Sequence, residues 1–359
     1  MARMKRRAPV FVFLIPFLAV LSLPVFATPS LYGQKVLPLW PHGTPEPAQT
    51  TEPEKDVTKA TDALISGHRT ARLTNVTEPT LTVYAPAAGV RSGHSAALVF
   101  PGGGYVRLAW DGEGLDTCRW LNSVGMTCLL VKYRVPEQGH YPDNPADLED
   151  AQQAMRVARA HAAEWHINPH KIGLVGFSAG AHLGVTLSTH WDDKHVESTP
   201  AASEVDSKIG AHPDFAIIVY PAYLGADATH PTLDPALTPK PDTPPTFLLQ
   251  AENDPVHVEN SLAYFRALKD AGVAAELHIY ATGGHGFGLH PVGSPEEHWT
   301  QLATTWLRSI RMIPPPAPTA GAKSWQAPPA PTPCPAQQIP MGRPSNASSS
   351  ATADNPACW

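Results

Sequence analysis

A chain of 359 residues, 43% of them hydrophobic, is long enough to build one large α/β domain with tails and to bury a full core. Acidic residues outnumber basic residues by 32 to 26, which leaves a formal net charge of −6. This balance argues against nucleic acid or an anionic membrane as the partner and favours a neutral small-molecule or carbohydrate substrate.

The first 27 residues differ in composition from everything that follows. A mostly apolar stretch, 8–26, comes after a basic start, and Val-Phe-Ala stands at 25–27. The basic residues are Arg3, Lys5, Arg6 and Arg7. The pattern predicts a signal peptide over 1–27, cleaved after Ala27, and hence a secreted or periplasmic protein without a membrane partner. An uncleaved membrane anchor is the alternative, which two prolines and the short apolar core disfavour.

Two proline-rich segments flank the central part of the chain. Residues 28–70 are rich in Pro and Thr but carry enough apolar side chains to lie along a domain surface as an N-terminal extension. Residues 314–359 are rich in Pro, Ala, Ser and Thr and show no apolar periodicity, which predicts a disordered tail. The catalytic domain is therefore expected over 71–313.

Strands and helices alternate through this central part. The predicted strands are 80–86, 96–102, 126–134, 171–177, 214–221, 244–252 and 275–280. The predicted helices are 112–125, 144–166, 178–190, 257–271 and 295–311. Such alternation predicts an α/β fold with a mostly parallel sheet and helices on both faces. The proline-rich stretch 221–245 is too irregular for the sheet and is expected to shape the mouth of a site.

The four cysteines show no spacing typical of a zinc site. Cys118 and Cys128 fall on apolar faces of a predicted helix and strand, which favours two buried thiols over a disulfide. Cys334 and Cys358 both lie in the predicted tail, and export would permit them to pair.

The most informative motif is G-x-S-x-G at residues 176–180, with Ser178 at its centre. It stands where a buried strand turns into a helix. Glycines on either side remove the Cβ atoms that would collide in so sharp a turn, and the turn exposes the serine hydroxyl at the end of the sheet. Ser178 is therefore the candidate nucleophile.

A serine nucleophile needs a base and an acid that orients this base. On a sheet of this kind they follow in the chain order serine, acid, histidine, after late strands. Asp254 lies in the loop after strand 244–252, and His285 follows two glycines after strand 275–280. All three positions are at carboxyl ends of strands, where open α/β sheets hold their sites. Glu252, nearer the strand, is the alternative acid.

The chain has 17 histidines, so position decides which of them matter. A structural or surface role is expected for His182, His257 and His290. The glycine context of His285 favours a catalytic role for that residue.

A glycine-rich loop follows the strand at 96–102 and supplies a candidate anion site. The backbone N–H groups of Gly103 and Gly104, with that of Ala179 after the nucleophile, are the predicted oxyanion hole. Tyr105 and Trp110 are candidate pocket residues, with packing an equal alternative. No phosphate-binding motif is present, and the chemistry requires neither metal nor cofactor.

With these motifs in place, the chain resembles the α/β-hydrolases of the esterase/lipase type over about 73–311. It is most similar to secreted bacterial acetylesterases grouped with acetyl-xylan esterases, sometimes labelled xylanase-like. The similarity rests on "PGGGYVRLAWDGEG", "GFSAGAHL", "ENDPVHVENSLAYFRAL" and "GGHGFGL". The resemblance implies a Ser178–His285–Asp254 triad and hydrolysis of acyl esters, often on acetylated plant polysaccharide. Pro101 stands where a related branch has histidine, but the glycines of the anion site remain.

Two other functions compete with this interpretation. A serine peptidase of the same fold would ordinarily carry a propeller or a larger cap, and no region here has the length. A catalytically inactive hydrolase fold used for binding would usually lack the nucleophile or the histidine, and this chain keeps both.

Overall fold

The computed structural model describes residues 35–46, 49–62, 64, 67–193, 205–206, 208–290 and 293–316. The predicted signal peptide, most of the predicted tail, and Cys334 and Cys358 lie outside these residues. One compact unit ends at Pro315.

The described residues contain eleven strands and five α-helices. The strands are β1 Lys35–Pro38, β2 Lys55–Asp56, β3 Arg72–Thr74, β4 Thr80–Tyr84, β5 Ala96–Phe100, β6 Leu108–Ala109, β7 Thr127–Lys132, β8 Ile172–Phe177, β9 Ala216–Val219, β10 Thr246–Ala251 and β11 Ala275–Tyr280. The helices are α1 Asp116–Ser123, α2 Ala146–Ala160, α3 Ala179–Thr189, α4 Glu259–Asp270 and α5 Trp299–Ser309.

Eight strands form the main sheet, in the order β1-β4-β7-β5-β8-β9-β10-β11. Strand β4 is antiparallel to both of its neighbours, and the six strands from β7 to β11 in the sheet order are parallel. Strands β2, β3 and β6 form a small antiparallel sheet. The prediction of a mostly parallel sheet is confirmed.

Helices cover both faces of the main sheet. Side chains from α2, α3 and α4 share one hydrophobic cluster, and side chains from α1 and α5 share the other. The central strands β5, β8, β9 and β10 are buried along their whole length, which explains why their sequences are continuous apolar runs rather than alternating ones.

The N-terminal segment enters the fold more deeply than the sequence predicts. Strand β1 is the edge strand of the main sheet, and the two residues after it are buried, with Leu39 1% and Trp40 6% exposed. The Trp40 Nε1–H donates to Asp150 Oδ1 on α2 at 2.7 Å. The segment is therefore part of the core and does more than lie along the domain surface.

The prediction of two buried thiols was wrong. Cys118 and Cys128 form a disulfide between α1 and β7, and their Cα atoms are 5.0 Å apart. Both residues are fully buried, as expected. The sequence places them on separate elements, and only the packing of α1 against β7 brings the two sulfurs together.

Candidate active site

The turn between β8 and α3 presents Ser178 at the carboxyl end of the sheet. Ser178 has a positive φ of 53°, an unfavourable conformation for a residue other than glycine. A Cβ on Gly176 would lie 2.3 Å from the carbonyl oxygen of Gly180, and a Cβ on Gly180 would lie 2.1 Å from that of Phe100. Only glycine fits at these two positions, so the motif determines the sharp turn.

The structure brings the three predicted residues into contact. Ser178 Oγ lies 2.8 Å from His285 Nε2. On the other side of the ring, His285 Nδ1 lies 3.0 and 2.9 Å from Asp254 Oδ1 and Oδ2. Residues separated by 107 and 31 positions in the chain thus form one continuous line of hydrogen-bonding groups.

Asp254 is held in place by two hydrogen-bond donors besides the histidine. Its side chain is fully buried, and Oδ1 accepts the backbone N–H of Val256 at 2.7 Å. Oδ2 accepts the side-chain amide of Gln250 at 3.0 Å, and Ser261 Oγ donates to Gln250 Oε1 at 2.6 Å. Glu252, the alternative acid, is exposed, and the carboxylate in contact with His285 is that of Asp254.

The loop that carries His285 is fastened to the loop that carries Asp254. The backbone N–H of Gly284 donates to Asn253 Oδ1 at 2.9 Å. The ring of Tyr220, at the end of β9, packs edge-on against the His285 ring with 5.1 Å between centroids. These contacts fix the imidazole between its two partners.

The glycine loop, residues 101–104, lies beside Ser178. The Gly102 N–H donates to Glu113 Oε2 at 2.6 Å, so that group is already used. Within the described residues, the N–H groups of Gly103 and Gly104 donate to no protein acceptor. Ala179 is the first residue of α3, where backbone N–H groups have no partner inside the helix. Within the described residues, the three predicted donors thus have no protein acceptor.

A cleft of about 480 Å³ opens beside Ser178 and the two glycines, Gly103 and Gly104. Its lining includes Ser178, His285, Gly103, Gly104, Arg107 and Tyr223. Tyr223 comes from the proline-rich stretch 221–245, whose only regular element is the short 3₁₀ turn Pro235–Leu237. This stretch therefore contributes to the site, as predicted.

The structure places the two candidate pocket residues elsewhere. Tyr105 is 2% exposed, and its hydroxyl lies 2.7 Å from His182 Nδ1 behind the glycine loop. Trp110 packs against both hydrophobic clusters. Neither residue lines the cleft, so of the two alternatives the structure supports packing. The aromatic side chain that does line it is Tyr223.

The three histidines for which the sequence predicts a structural or surface role, His182, His257 and His290, have such positions. His182 is fully buried on α3, and burial lowers its pKa well below the ordinary value. His257 is exposed, and His290 Nε2 lies 3.1 Å from Asp116 Oδ2. Among the described residues, no group of three or more His, Cys, Asp or Glu side chains has a geometry that would hold a metal ion.

The comparisons with known proteins agree with this fold. A family model described as BD-FAE matches residues 81–220, and a model of the alpha/beta hydrolase fold matches residues 198–289. The crystal structure of an acetyl ester-xyloside bifunctional hydrolase from Caldicellulosiruptor lactoaceticus is 31% identical, with a TM-score of 0.56, and the match covers 78% of this chain and 97% of the other. The chain belongs to the α/β-hydrolase family of esterases and lipases.

Two further relatives of this α/β-hydrolase are named as esterases. An acetylxylan esterase from Xylanibacter ruminicola is 31% identical over 60% of this chain and 45% of its own length. A thermophilic esterase from Thermogutta terrifontis is 25% identical, with a TM-score of 0.55, over 68% of this chain and 94% of its own. The chain thus spans less than half the length of the acetylxylan esterase. The predicted fold class and family resemblance are confirmed.

Several residues that shape the site of this α/β-hydrolase were missed by the sequence analysis. They are Glu113, Tyr220, Gln250 and Asn253. Gln250 lies in β10, just before the loop that carries Asp254, and Asn253 is the neighbour of Asp254 in that loop. A search for partners of the acid would have found both. Glu113 stands between two glycines just after the glycine loop, which is its only local signal. Tyr220 looks like an ordinary strand residue.

Within the part of the chain that the structure describes, no helix has both the length and the apolar character needed to cross a bilayer.

Proposed function

We propose that the protein is a serine carboxylic ester hydrolase that removes short acyl groups, above all acetyl groups, from esters of sugars or plant polysaccharides. The observation that carries this proposal is the contact of Ser178 with His285, and of His285 with Asp254, at the edge of an open cleft. A hydroxyl, an imidazole and a buried carboxylate in this order are the groups that acyl transfer requires.

In the first half of the reaction, Ser178 Oγ attacks the carbonyl carbon of the ester. His285 Nε2 accepts the hydroxyl proton, and the Nδ1–H donates to Asp254, whose charge stabilises the imidazolium. Collapse of the tetrahedral intermediate breaks the bond to the alcohol. The imidazolium gives its proton to the departing alcohol oxygen, and the acyl group stays on the serine.

In the second half, a water molecule takes the place of the alcohol. His285 accepts a proton from this water, and the resulting nucleophile attacks the acyl-serine carbonyl. The acid is released and the proton returns to Ser178 Oγ. No metal or cofactor takes part in either half.

The negative oxygen of both tetrahedral intermediates is stabilised by the open backbone N–H groups of Gly103, Gly104 and Ala179. These donors belong to the glycine loop, which Glu113 holds at Gly102, and to a helix start, so they are in place before the charge develops. Losing one donor of this kind typically lowers kcat by ~10²–10³-fold.

The names of two relatives favour acetyl groups on sugars, and the cleft has the size of a small-molecule site. The cleft is open and its volume of about 480 Å³ lies in the range of small-molecule sites. The relatives at 31% identity are named as an acetylxylan esterase and an acetyl ester-xyloside hydrolase.

The decisive experiment measures hydrolysis of p-nitrophenyl acetate by the wild-type chain and by Ser178→Ala. Loss of the activity in the variant supports the proposal, and equal rates would refute it. Acetate release from acetylated xylan, acetylated pectin and small acetyl sugars then ranks the substrates. Activity confined to peptide amides would favour the peptidase alternative instead.

We also propose that the enzyme is exported after removal of residues 1–27, on the strength of the N-terminal sequence pattern. N-terminal sequencing of protein recovered from the periplasm or the medium tests this. The expected first residue is Thr28, and an intact Met1 in the recovered protein would contradict export by cleavage.

A further inference from the structure

A second buried carboxylate lies at the base of the cleft. Glu113 is 6% exposed and belongs to the π-helical turn Trp110–Leu115, which leads into α1. Burial raises the pKa of Glu113, while hydrogen bonds from Gly102 and Tyr220 oppose that rise. The two oxygens of the carboxylate accept hydrogen bonds from Gly102 in the glycine loop and from Tyr220 after β9, so Glu113 connects these two segments.

One oxygen fixes the glycine loop. Glu113 Oε2 accepts the Gly102 N–H at 2.6 Å, and the Gly102 carbonyl accepts the Ala109 N–H at 2.8 Å. Both sides of Gly102 are therefore held. A Cβ on Gly102 would lie 2.8 Å from both Glu113 Oε2 and Ser178 Cβ, which shows how closely the loop packs against the nucleophile. The orientation of the next two N–H groups, the oxyanion donors, follows from this attachment.

The other oxygen fixes the segment that carries the histidine. Glu113 Oε1 accepts the Tyr220 hydroxyl at 2.9 Å, and the same hydroxyl accepts the Gly288 N–H at 3.2 Å. The Tyr220 ring also packs against His285. Tyr220 has a positive φ of 36°. Strained residues of this kind persist where the surrounding contacts over-determine them, often at active sites.

We propose that Glu113 and Tyr220 form a buried clamp that positions the oxyanion donors and His285 relative to each other. This inference rests on the proposed ester hydrolysis. Both oxygens of Glu113 bind protein donors, and the Tyr220 hydroxyl bonds to Glu113 and Gly288. The two side chains therefore act through other residues, as positioning residues for the transition state.

Two conservative variants test the clamp. Glu113→Gln keeps the shape of the side chain but has one acceptor oxygen in place of two, so it serves Gly102 or Tyr220 but not both as they now stand. Tyr220→Phe removes only the hydroxyl. Because small misplacements of catalytic groups can lower rates by ~10²-fold, we expect each variant to lower kcat for p-nitrophenyl acetate on the order of 10- to 100-fold, with little change in KM.

The double variant gives a sharper test. If the two residues form one unit, combining the substitutions should cost little more than the worse single substitution, since the first already breaks the connection. Multiplication of the two single losses would show that the residues act independently and would overturn the clamp.

Tyr264→Phe is the matched control for loss of a buried tyrosine hydroxyl. Tyr264 is fully buried on α4, and its hydroxyl has no hydrogen-bond partner among the described residues. We expect this variant to keep the wild-type kcat. Melting temperatures of all the variants separate positioning from unfolding, and should Glu113→Gln fail to fold, Tyr220→Phe tests the clamp alone.

The outcomes separate the clamp from the proposed function. Wild-type kcat in both clamp variants, with Ser178→Ala inactive, overturns the clamp and leaves ester hydrolysis intact. A loss confined to KM, or a loss shared by Tyr264→Phe, overturns it as well. Equal rates for Ser178→Ala and the wild-type chain overturn the proposed function itself.

Discussion

At the scale of single residues, the orientation of His285 depends on Asp254. The carboxylate faces Nδ1 and is itself held by Gln250 and Val256. Asp254→Asn removes the negative charge and allows an amide group to face Nδ1, which favours the wrong tautomer of the imidazole. We expect kcat for p-nitrophenyl acetate to fall on the order of 10⁴-fold, with a smaller effect on KM. Initial rates at saturating substrate measure this loss.

Glu252→Gln is the matched control for this substitution. Glu252 is a carboxylate in the same loop, two positions before Asp254, but its side chain is exposed. We expect the variant to keep the wild-type kcat. A large loss in Glu252→Gln together with a small loss in Asp254→Asn would reverse the assignment of the acid.

At the scale of elements, the packing of α3 against β5 depends on the absence of a side chain at Gly180. A Cβ there would lie 2.1 Å from the Phe100 carbonyl oxygen, and backbone on both sides leaves little room to adjust. We expect Gly180→Ala to lower the free energy of unfolding by ~1–3 kcal/mol or more, as overpacking does. Gly210→Ala is the control, since nothing lies within 4 Å of its added Cβ. Thermal unfolding compares the two, and equal melting temperatures would contradict the expectation.

Among the strands and helices, the long central ones could be predicted from the sequence and the short ones could not. The long central strands and the helices between them were predicted because apolar runs and helical periodicity are local signals. Strands β1, β2, β3 and β6, of two to four residues, were missed because their pairing depends on distant partners. The predicted helix at 112–125 begins instead as a π-helical turn, where the Gly-Glu-Gly sequence lies against the glycine loop.

The residues of the candidate site also fall into those that the sequence could predict and those that it could not. Chain order and strand ends were enough to select Ser178, Asp254 and His285, which the structure brings together. The roles of Glu113 and Tyr220 depend on contacts across 107 positions of sequence, and no local pattern marks such a contact. Tyr105 was a candidate for the pocket because it follows the glycines, with packing as an equal alternative, and the structure places it in the core with a positive φ of 57°.

At the scale of the whole molecule, the N-terminal segment is expected to be required for stability. A chain that begins at residue 71 lacks β1, and it also lacks Leu39 and Trp40 from the core. Each large buried apolar side chain contributes ~1.5–3 kcal/mol, and Asp150 would lose a buried donor as well. We expect this chain to melt well below one that begins at residue 28, in thermal unfolding followed by circular dichroism. Equal melting temperatures would show that the catalytic domain does begin at 71.

The stability of the whole molecule should also depend on pH through Asp147 at the start of α2. Asp147 is 1% exposed, and burial raises its pKa from 3.8 to about 7, against hydrogen bonds from the Leu148 N–H and the Tyr105 side chain. The folded chain therefore keeps a proton that the unfolded chain releases. Between these two pH values, each unit of rising pH lowers the free energy of unfolding by up to ~1.4 kcal/mol, and above about 7 the effect is constant.

Asp147→Asn isolates this contribution, because the amide has the shape of the protonated acid and does not titrate. Urea unfolding at pH 5 and pH 8 gives the loss of unfolding free energy for each chain. We expect the wild-type chain to lose more unfolding free energy than the variant between these two pH values. Only the wild-type chain has a carboxyl at this position that ionises more readily in the unfolded chain than in the folded one. Equal losses would mean that Asp147 ionises in the folded chain as easily as in water, and would contradict the raised pKa.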